Sequence, residues 1–255
     1  MPSPVADFLP FARELALAAG DVTMHYFRTG FQVDIKQDRS PVTTADREAE
    51  LRMRDLIDKR FPDHGVLGEE FPPHQPDARY VWVLDPIDGT ANFVARNYLF
   101  GNMAALLEDG QPILGFVNHP VAGELFLGDN HTAWRNDEVI RVSDTAGIQD
   151  ALLLVSEHLS VDRYQNGVRF EDLIRRVREY RGWGGCHGFA LVAQGSADIS
   201  LEPFMQTWDR LPLIPLIRGA GGVITDWRGN DPVTNDSTVA TNGRIHEAVL
   251  WAIDN

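Results

Sequence analysis

Cysteine is nearly absent from this chain: Cys186 is the single one among 255 residues. An intrachain disulfide is therefore excluded, and the composition suits a reducing cytoplasm. Long apolar runs are missing as well. No stretch approaches the roughly 18 apolar residues that a membrane-spanning helix requires. The opening MPSPVADFLP lacks both the basic and the apolar region of a secretory signal. Positive charge is scarce, with 23 Lys and Arg against 37 Asp and Glu and a formal net charge of −14. Such a surface repels nucleic acid and anionic membranes, so neither is expected as a partner. A small anionic substrate remains compatible with it, provided that a bound cation reverses the sign locally. No internal repeat, low-complexity tract or flexible linker interrupts the chain.

What is present is enough apolar material for a sizeable core, 44% of residues with six tryptophans. Phe8, Phe11, Leu15, Ala18, Ala19, Val22 and Tyr26 recur at helical spacing and predict a helix over 7–26. A second amphipathic helix is expected over 44–60, with Thr44 as N-cap and Asp46 in its first turn. Strands are expected at 81–84, 102–107, 112–118, 124–128, 132–136 and 138–144, and the turn residues between the later ones suggest antiparallel hairpins. Beyond residue 150 the pattern alternates: strands at 152–156, 197–202, 221–227 and 237–242, with helices at 168–180, 186–194, after Asp209 and at 244–252. The chain thus reads as an N-terminal α+β subdomain over 1–145 and a C-terminal α/β subdomain over 146–255, layered into a single compact unit. Pro215 is expected to kink or delay its helix.

Chemistry concentrates in WVLDPIDGTANF (82–93), where Asp85 and Asp88 end an apolar run. Pro86 and Gly89 argue against a helix there, so the two carboxylates belong to a turn. VLGEEF (66–71) adds Glu69 and Glu70, KQDRSPVTTAD (36–46) adds Lys36 and Asp46, and TWD (207–209) adds Asp209. Each has an ordinary explanation alone: a solvated turn for the glutamates, a helix cap or dipole partner for Asp209 and Asp46, a surface charge for Lys36. Together they are a set of hard oxygen donors suited to Mg²⁺, with the carbonyl of Ile87 as a further donor. Converging carboxylates without a cation repel one another. Gly89 and Thr90 supply the complement, a backbone turn that a phosphate can approach closely and a hydroxyl that can orient water.

These segments, with WDRLPLIPLIRGAGG (208–222), resemble the signature set of the inositol monophosphatase superfamily of Mg²⁺-dependent, lithium-sensitive phosphatases. The resemblance runs from Lys36 to the C-terminal VATNGRIHEAVL. It implies an α-β-α-β-α sandwich of the kind shared with fructose-1,6-bisphosphatase, assembled as a homodimer, and two or three Mg²⁺ ions per site. By the same resemblance Glu69, Asp85 and the Ile87 carbonyl bind one metal, Asp88 and Asp209 bind a second, and Asp85 bridges them. Asp46 and Thr90, together with Glu69, position and activate the attacking water, and Gly89 and Thr90 receive phosphate through backbone N–H groups. Lys36 and Glu70 are auxiliary.

The implied substrate is a small phosphorylated alcohol. The stretch 181–222 resembles the histidinol-phosphatase branch, which serves histidine biosynthesis, except that Gly185 stands where that branch has aspartate and His187 where it has tyrosine. Glu202, seven residues before Asp209, matches a position that contacts the alcohol, so Glu202, Gly185, His187 and Asp209 form the expected substrate end. The alternatives are inositol 1-phosphate, a 3′(2′),5′-bisphosphate nucleotide and, outside enzymes, a silent metal- or phosphate-binding scaffold. Cys186 reads as a small buried residue, and His64, His74 and His119 read as solvent or turn residues. GAGG (219–222) is not read as a dinucleotide fingerprint, because a helix precedes it.

Overall fold

The computed structural model describes residues 5–36 and 40–254. Helices α1 (Leu9–Thr29) and α2 (Thr44–Arg60) pack side by side, and between them runs a small antiparallel pair, β1 (Val33–Ile35) and β2 (Pro41–Thr43). There follow β3 (Gly65–Gly68), β4 (Tyr80–Asp88), the short helix α3 (Thr90–Val94), β5 (Gly101–Glu108), β6 (Gln111–His119), β7 (Glu124–Gly128), β8 (Ala133–Arg135) and β9 (Glu138–Ile140). Strands β3 to β9 form a seven-stranded sheet in chain order, with β3 parallel to β4 and every later pair antiparallel.

The second half contains β10 (Leu152–Leu154), α4 (His158–Tyr164), α5 (Gly167–Arg176), β11 (Glu179–Arg181), α6 (Gly185–Ala193), β12 (Ile199–Glu202), α7 (Thr207–Arg210), α8 (Leu213–Gly219), β13 (Val223–Thr225), β14 (Thr238–Thr241) and α9 (His246–Asp254). Its five-stranded sheet runs β11-β10-β12-β14-β13. Strand β10 is parallel to both of its neighbours, and β14 is antiparallel to both of its own.

Side-chain alternation explains the layering. On β4, Trp82 and Leu84 face one way and pack with Leu15, Ala19, Met53 and Ile57 of α1 and α2. Val81 and Val83 face the other way and share a core with Phe189 of α6, Ile214 and Ile217 of α8, and Leu154 and Ala240 of the second sheet. On the far face of that sheet, Leu153, Leu201 and Val239 meet Phe170 of α5 and Val249 of α9. The middle core spans both faces of the α6–α8 layer, and with the two outer ones it joins five layers, the α-β-α-β-α sandwich that the family resemblance implies.

Several local expectations shift. Thr43, not Thr44, caps α2: its hydroxyl accepts the N–H groups of Ala45 and Asp46 while the Asp46 carboxylate accepts that of Thr43. The helix expected over 168–180 stops at Arg176, and residues 179–181 become the edge strand β11, where register with β10 overrides helical spacing. Helix α4 and the β1–β2 pair, both short, were not anticipated. Of the two effects expected of Pro215, the structure shows the delay. The chain breaks between α7 and α8, so Pro215 is the third residue of α8, where a backbone N–H has no intrahelical acceptor to lose.

Helix α8 rests directly on the backbone of β6 and β7. A Cβ at Gly115 would collide with the Pro212 carbonyl, and one at Gly128 with the Leu216 Cα. Because both obstacles are backbone, neither yields by rotamer change. Gly128→Ala is expected to cost roughly 1–3 kcal/mol as an overpacking change, measured as a lower urea midpoint at unchanged m-value.

Candidate active site

Strand β4 pairs with β5 as Asp85↔Met103 and then Asp88↔Gly101, so Pro86 and Ile87 together stand opposite the single residue Asn102. This is a β-bulge. In a regular strand, residues three apart point to opposite faces. The extra residue brings Asp88 back to the side of Asp85, which accounts for a D-x-x-D pair at a strand end. With Asp209 they offer carboxylate oxygens within 4.8 Å of one another.

Each acid is held by a different element. Asp209 is the third residue of α7 and accepts the Gln206 N–H at 3.0 Å. Asp88 accepts the Cys186 N–H, in the first turn of α6, at 2.8 Å. Asp85 is buried, and its Oδ1 has no partner. Burial, then the charges of Glu69, Asp209 and Asp88, push the Asp85 carboxyl well above the usual carboxylate range. Burial, then Asp88 and Glu69, push Asp209 up to about 8. An orphaned carboxylate oxygen among converging hard donors fits Mg²⁺, which takes oxygen ligands and suppresses this repulsion.

Glu69 and Glu70 sit at the end of β3 beside this cluster. Lys36 bonds Glu69 at 2.6 Å and Glu70 at 2.7 Å. Burial works against the ammonium charge, but these two hydrogen bonds outweigh it and hold the Lys36 pKa above that of an ordinary lysine. Glu69 is raised by burial, against the pull of Lys36. Lys36 thus acts as a resident counter-ion to the loop.

Asp46 is fully buried on α2. Its Oδ2 accepts the Thr43 N–H at 2.8 Å and the Thr43 hydroxyl at 2.6 Å, leaving Oδ1 toward the Thr90 hydroxyl at 3.1 Å. Burial raises the Asp46 pKa and the Thr43 hydrogen bonds oppose it. The Thr90 hydroxyl also lies 3.0 Å from the Ile87 carbonyl, so one proton faces two acceptors. Gly89 caps α3 in the left-handed conformation, φ 79°, and the first-turn N–H groups beyond it have no intrahelical acceptor.

Of the expected substrate residues, Gly185 and His187 lie in the first turn of α6, Glu202 ends β12 and Asp209 is on α7. Glu202 is buried with both oxygens engaged: Oε1 accepts from Ser156 N at 2.8 Å and Gly185 N at 2.9 Å, and Oε2 from the Ser156 hydroxyl at 2.6 Å. Burial lifts it to about 7 against those bonds. Gly185 has φ 62°, and a Cβ there would stand 3.1 Å from Asp88 Oδ2. His187 is half-buried, and burial followed by the neighbouring His119 lowers it to about 4, so it is a neutral imidazole at pH 7.

His119 differs from expectation, and His64 lies in a turn as read but is half-buried. His119 is buried, bonded through Nδ1 to the Phe100 carbonyl at 3.0 Å and packed edge-on against His187. His64 lies stacked between Phe61 and Tyr80 and meets the Trp82 indole N–H at 3.2 Å. Aromatic neighbours distant in sequence draw both inward. His74 is exposed, as read, and its backbone bridges antiparallel to Val66. Cys186 is buried, and burial, then the charge of Asp88, raises its thiol pKa.

The sequence reading missed Glu50, which is buried one helical turn beyond Asp46. It accepts the Glu70 N–H at 2.7 Å and the Arg54 guanidinium at 2.7 Å, fixing the Glu69–Glu70 loop from beneath. The i, i+4 spacing of two acids on one face of α2 was the available signal.

A family model described as the inositol monophosphatase family matches residues 5–255. A histidinol-phosphatase from Chlorobaculum parvum is 36% identical over 97% of this chain and 96% of its own length. One from Mycobacterium tuberculosis is 35% identical over 97% and 98%. An inositol monophosphatase structure from Zymomonas mobilis superposes with a TM-score of 0.88 at 33% identity, covering 99% of this chain and 100% of that one.

The raised carboxyl pKa values make metal binding a proton-releasing event. Without metal the folded site binds more protons than the unfolded chain between the ordinary carboxylate range, about 4, and the value of about 8 at Asp209. Metal-free stability therefore falls as pH rises through that window. The gain in melting temperature on adding Mg²⁺ is expected to be larger at ~pH 8.5 than at ~pH 5.5, as differential scanning fluorimetry would show. An equal gain at both values would count against the shared-charge account.

Proposed function

The chain belongs to the inositol monophosphatase family, and within this family of phosphatases we propose that it hydrolyses the phosphomonoester of a small alcohol, with histidinol phosphate as the leading substrate. The observation that carries the hydrolytic reading is the three-carboxylate cluster with its unpartnered Asp85 oxygen, set beside the Thr90–Asp46 pair. In this reading Glu69, Asp85 and the Ile87 carbonyl hold one Mg²⁺, and Asp85, Asp88 and Asp209 a second, with two or three ions per site. Mg²⁺, when bound, lowers the pKa of a water and neutralises charge on the phosphate oxygens.

The chain's own residues do the rest. Thr90 and Asp46 orient the attacking water: its proton passes to the Thr90 oxygen as that hydroxyl gives its own proton to Asp46 Oδ1. The Thr43 bonds keep Asp46 Oδ2 occupied, so one carboxylate oxygen is presented for this purpose. Gly89 and Thr90 N–H groups receive the phosphate. No side chain becomes phosphorylated, and the buried, high-pKa Cys186 thiol takes no part.

The relatives support the histidinol reading. A second reading, inositol 1-phosphate, draws on Gly185 and His187, because no carboxylate stands at 185 to pair with a substrate amine and residue 187 is neutral. Glu202, with both oxygens committed to Ser156 and Gly185, serves either reading by holding the start of α6, and a 3′(2′),5′-bisphosphate nucleotide is a third substrate to test. Homodimer assembly, cytoplasmic residence and the division near residue 145 are further parts of the proposal.

A parallel comparison of kcat/KM on histidinol phosphate, inositol 1-phosphate and adenosine 3′,5′-bisphosphate decides among the substrates. Histidinol phosphate is expected to lead, and parity with inositol 1-phosphate would favour the second reading. Asp88→Asn is expected to abolish Mg²⁺-dependent phosphate release. Asp46→Asn should lower kcat by ~10²–10⁴ as loss of a proton acceptor, with KM little changed. No release from any ester by the intact protein would sink the hydrolytic reading.

A further inference from the structure

The bulge that aligns Asp85 with Asp88 leaves a gap in the β4–β5 ladder, and Asn102 stands opposite that gap. Its side chain is completely buried. Asn102 Nδ2 donates to the Pro86 carbonyl at 2.7 Å and to the Thr23 hydroxyl oxygen at 3.3 Å. Asn102 Oδ1 accepts from Asn118 Nδ2 at 2.9 Å, and Asn118 Nδ2 also donates to the Ala16 carbonyl at 3.0 Å. The Thr23 hydroxyl in turn donates to the Gly20 carbonyl at 3.1 Å. Every donor in this chain has its own acceptor. The orientation of the Asn102 amide is thereby fixed, because a flipped amide would set its oxygen against the Pro86 carbonyl.

We propose that Asn102 is a positioning residue of the metal centre, clamping the Pro86–Ile87 peptide from β5 and tying it through Asn118 and Thr23 to α1. An apolar side chain would fill the same volume but would leave the Pro86 carbonyl buried and unbonded. Relief of that cost comes by rotating the peptide, which carries the Ile87 carbonyl and the Asp88 side chain with it. The clamp thus reaches the ligands without touching them, as outer partners of metal ligands do. Gly20 sets the spacing at the far end. A Cβ there would lie 2.8 Å from Asn118 Nδ2, so an alanine at 20 pushes the Asn118 amide out of its place in the relay. Gly20 and Asn118 also line an open cavity of about 410 Å³ between α1 and the end of β6, so the far end of the relay lies close to the surface.

The inference rests on the reading that the Asp85 cluster holds Mg²⁺, and its test needs no substrate. Metal-free wild type, Asn102→Ala, Asn118→Ala and Gly20→Ala are titrated with Tb³⁺, read by tryptophan-sensitised luminescence, and the bound Tb³⁺ is displaced with Mg²⁺. Melting temperatures are recorded alongside. Mg²⁺ affinity is expected to fall about 10–100-fold in Asn102→Ala and by less, in the same direction, in the other two. Activity at saturating Mg²⁺ should return toward wild type, and the Mg²⁺ requirement should shift equally for every ester that is turned over. Unchanged Mg²⁺ affinity in the folded variants, with only the melting temperature lowered, would assign the relay to stability and overturn the proposal. If Asn102→Ala fails to fold, Asn118→Ala and Gly20→Ala decide, since alanine at 20 favours the helix it sits in. A wild type that binds Mg²⁺ but hydrolyses no ester would defeat the proposed function while leaving this result intact.

Discussion

Carboxylates that face one another, one buried and two half-buried, are the constraint on which the architecture turns. Asp85, Asp88 and Asp209 place carboxylate oxygens within 4.8 Å, with Glu69 close enough to raise two of them further. In a low-dielectric interior such a cluster resists ionisation, and the fold must hold it together against its own repulsion. The restraints come from independent directions: a bulge in a central strand, the first turns of α6 and α7, and a lysine that neutralises the neighbouring loop. None of these elements could relax alone without exposing another to an unpaired charge.

The same economy governs the proton-handling side. Asp46 is at once the capping-box acid of α2 and the acceptor facing Thr90. The helix start therefore positions the carboxylate, and the carboxylate secures the helix start. Glu50, one turn later, does for the Glu69–Glu70 loop what Thr43 does for Asp46. One face of α2 thus supports two parts of the site. A seven-stranded sheet covered by helices on both faces supplies the rigidity that such placement needs.

Much of this was legible in the sequence, and for identifiable reasons. Acids in Pro- and Gly-punctuated segments stood out because those residues dictate turns, and the apolar alternation of β4 to β7 was regular enough to place each strand. The five-layer arrangement came from the family resemblance, and the alternation on β4 is its physical basis. Less legible were features that depend on partners far away in sequence. His119 looks like a turn residue until Phe126 and His187 pack around it. The edge strand β11 looks helical until β10 offers a ladder. Asn102 looks unremarkable in a run of strand residues, because the gap it fills exists only after Pro86 has broken the pairing. Glu202, read as a contact for the alcohol, has both oxygens committed to Ser156 and Gly185, and no pattern along the chain foretells that.

The contact between α8 and the glycines of β6 and β7 has a bearing on the site itself. Asp209 lies on α7, and only Leu211 and Pro212 separate α7 from α8. Pro212 is the residue whose carbonyl abuts Gly115, and Leu211 is buried in the core between the sheets. The acid contributed by the second half of the chain is therefore indexed to the backbone of the first half by a side-chain-free joint. Any slip of one sheet along the other would register as a change in the gap between Asp209 and Asp85. The site is in this sense a gauge of how the two sheets are seated, and its spacing is set by backbone contact where no rotamer can drift.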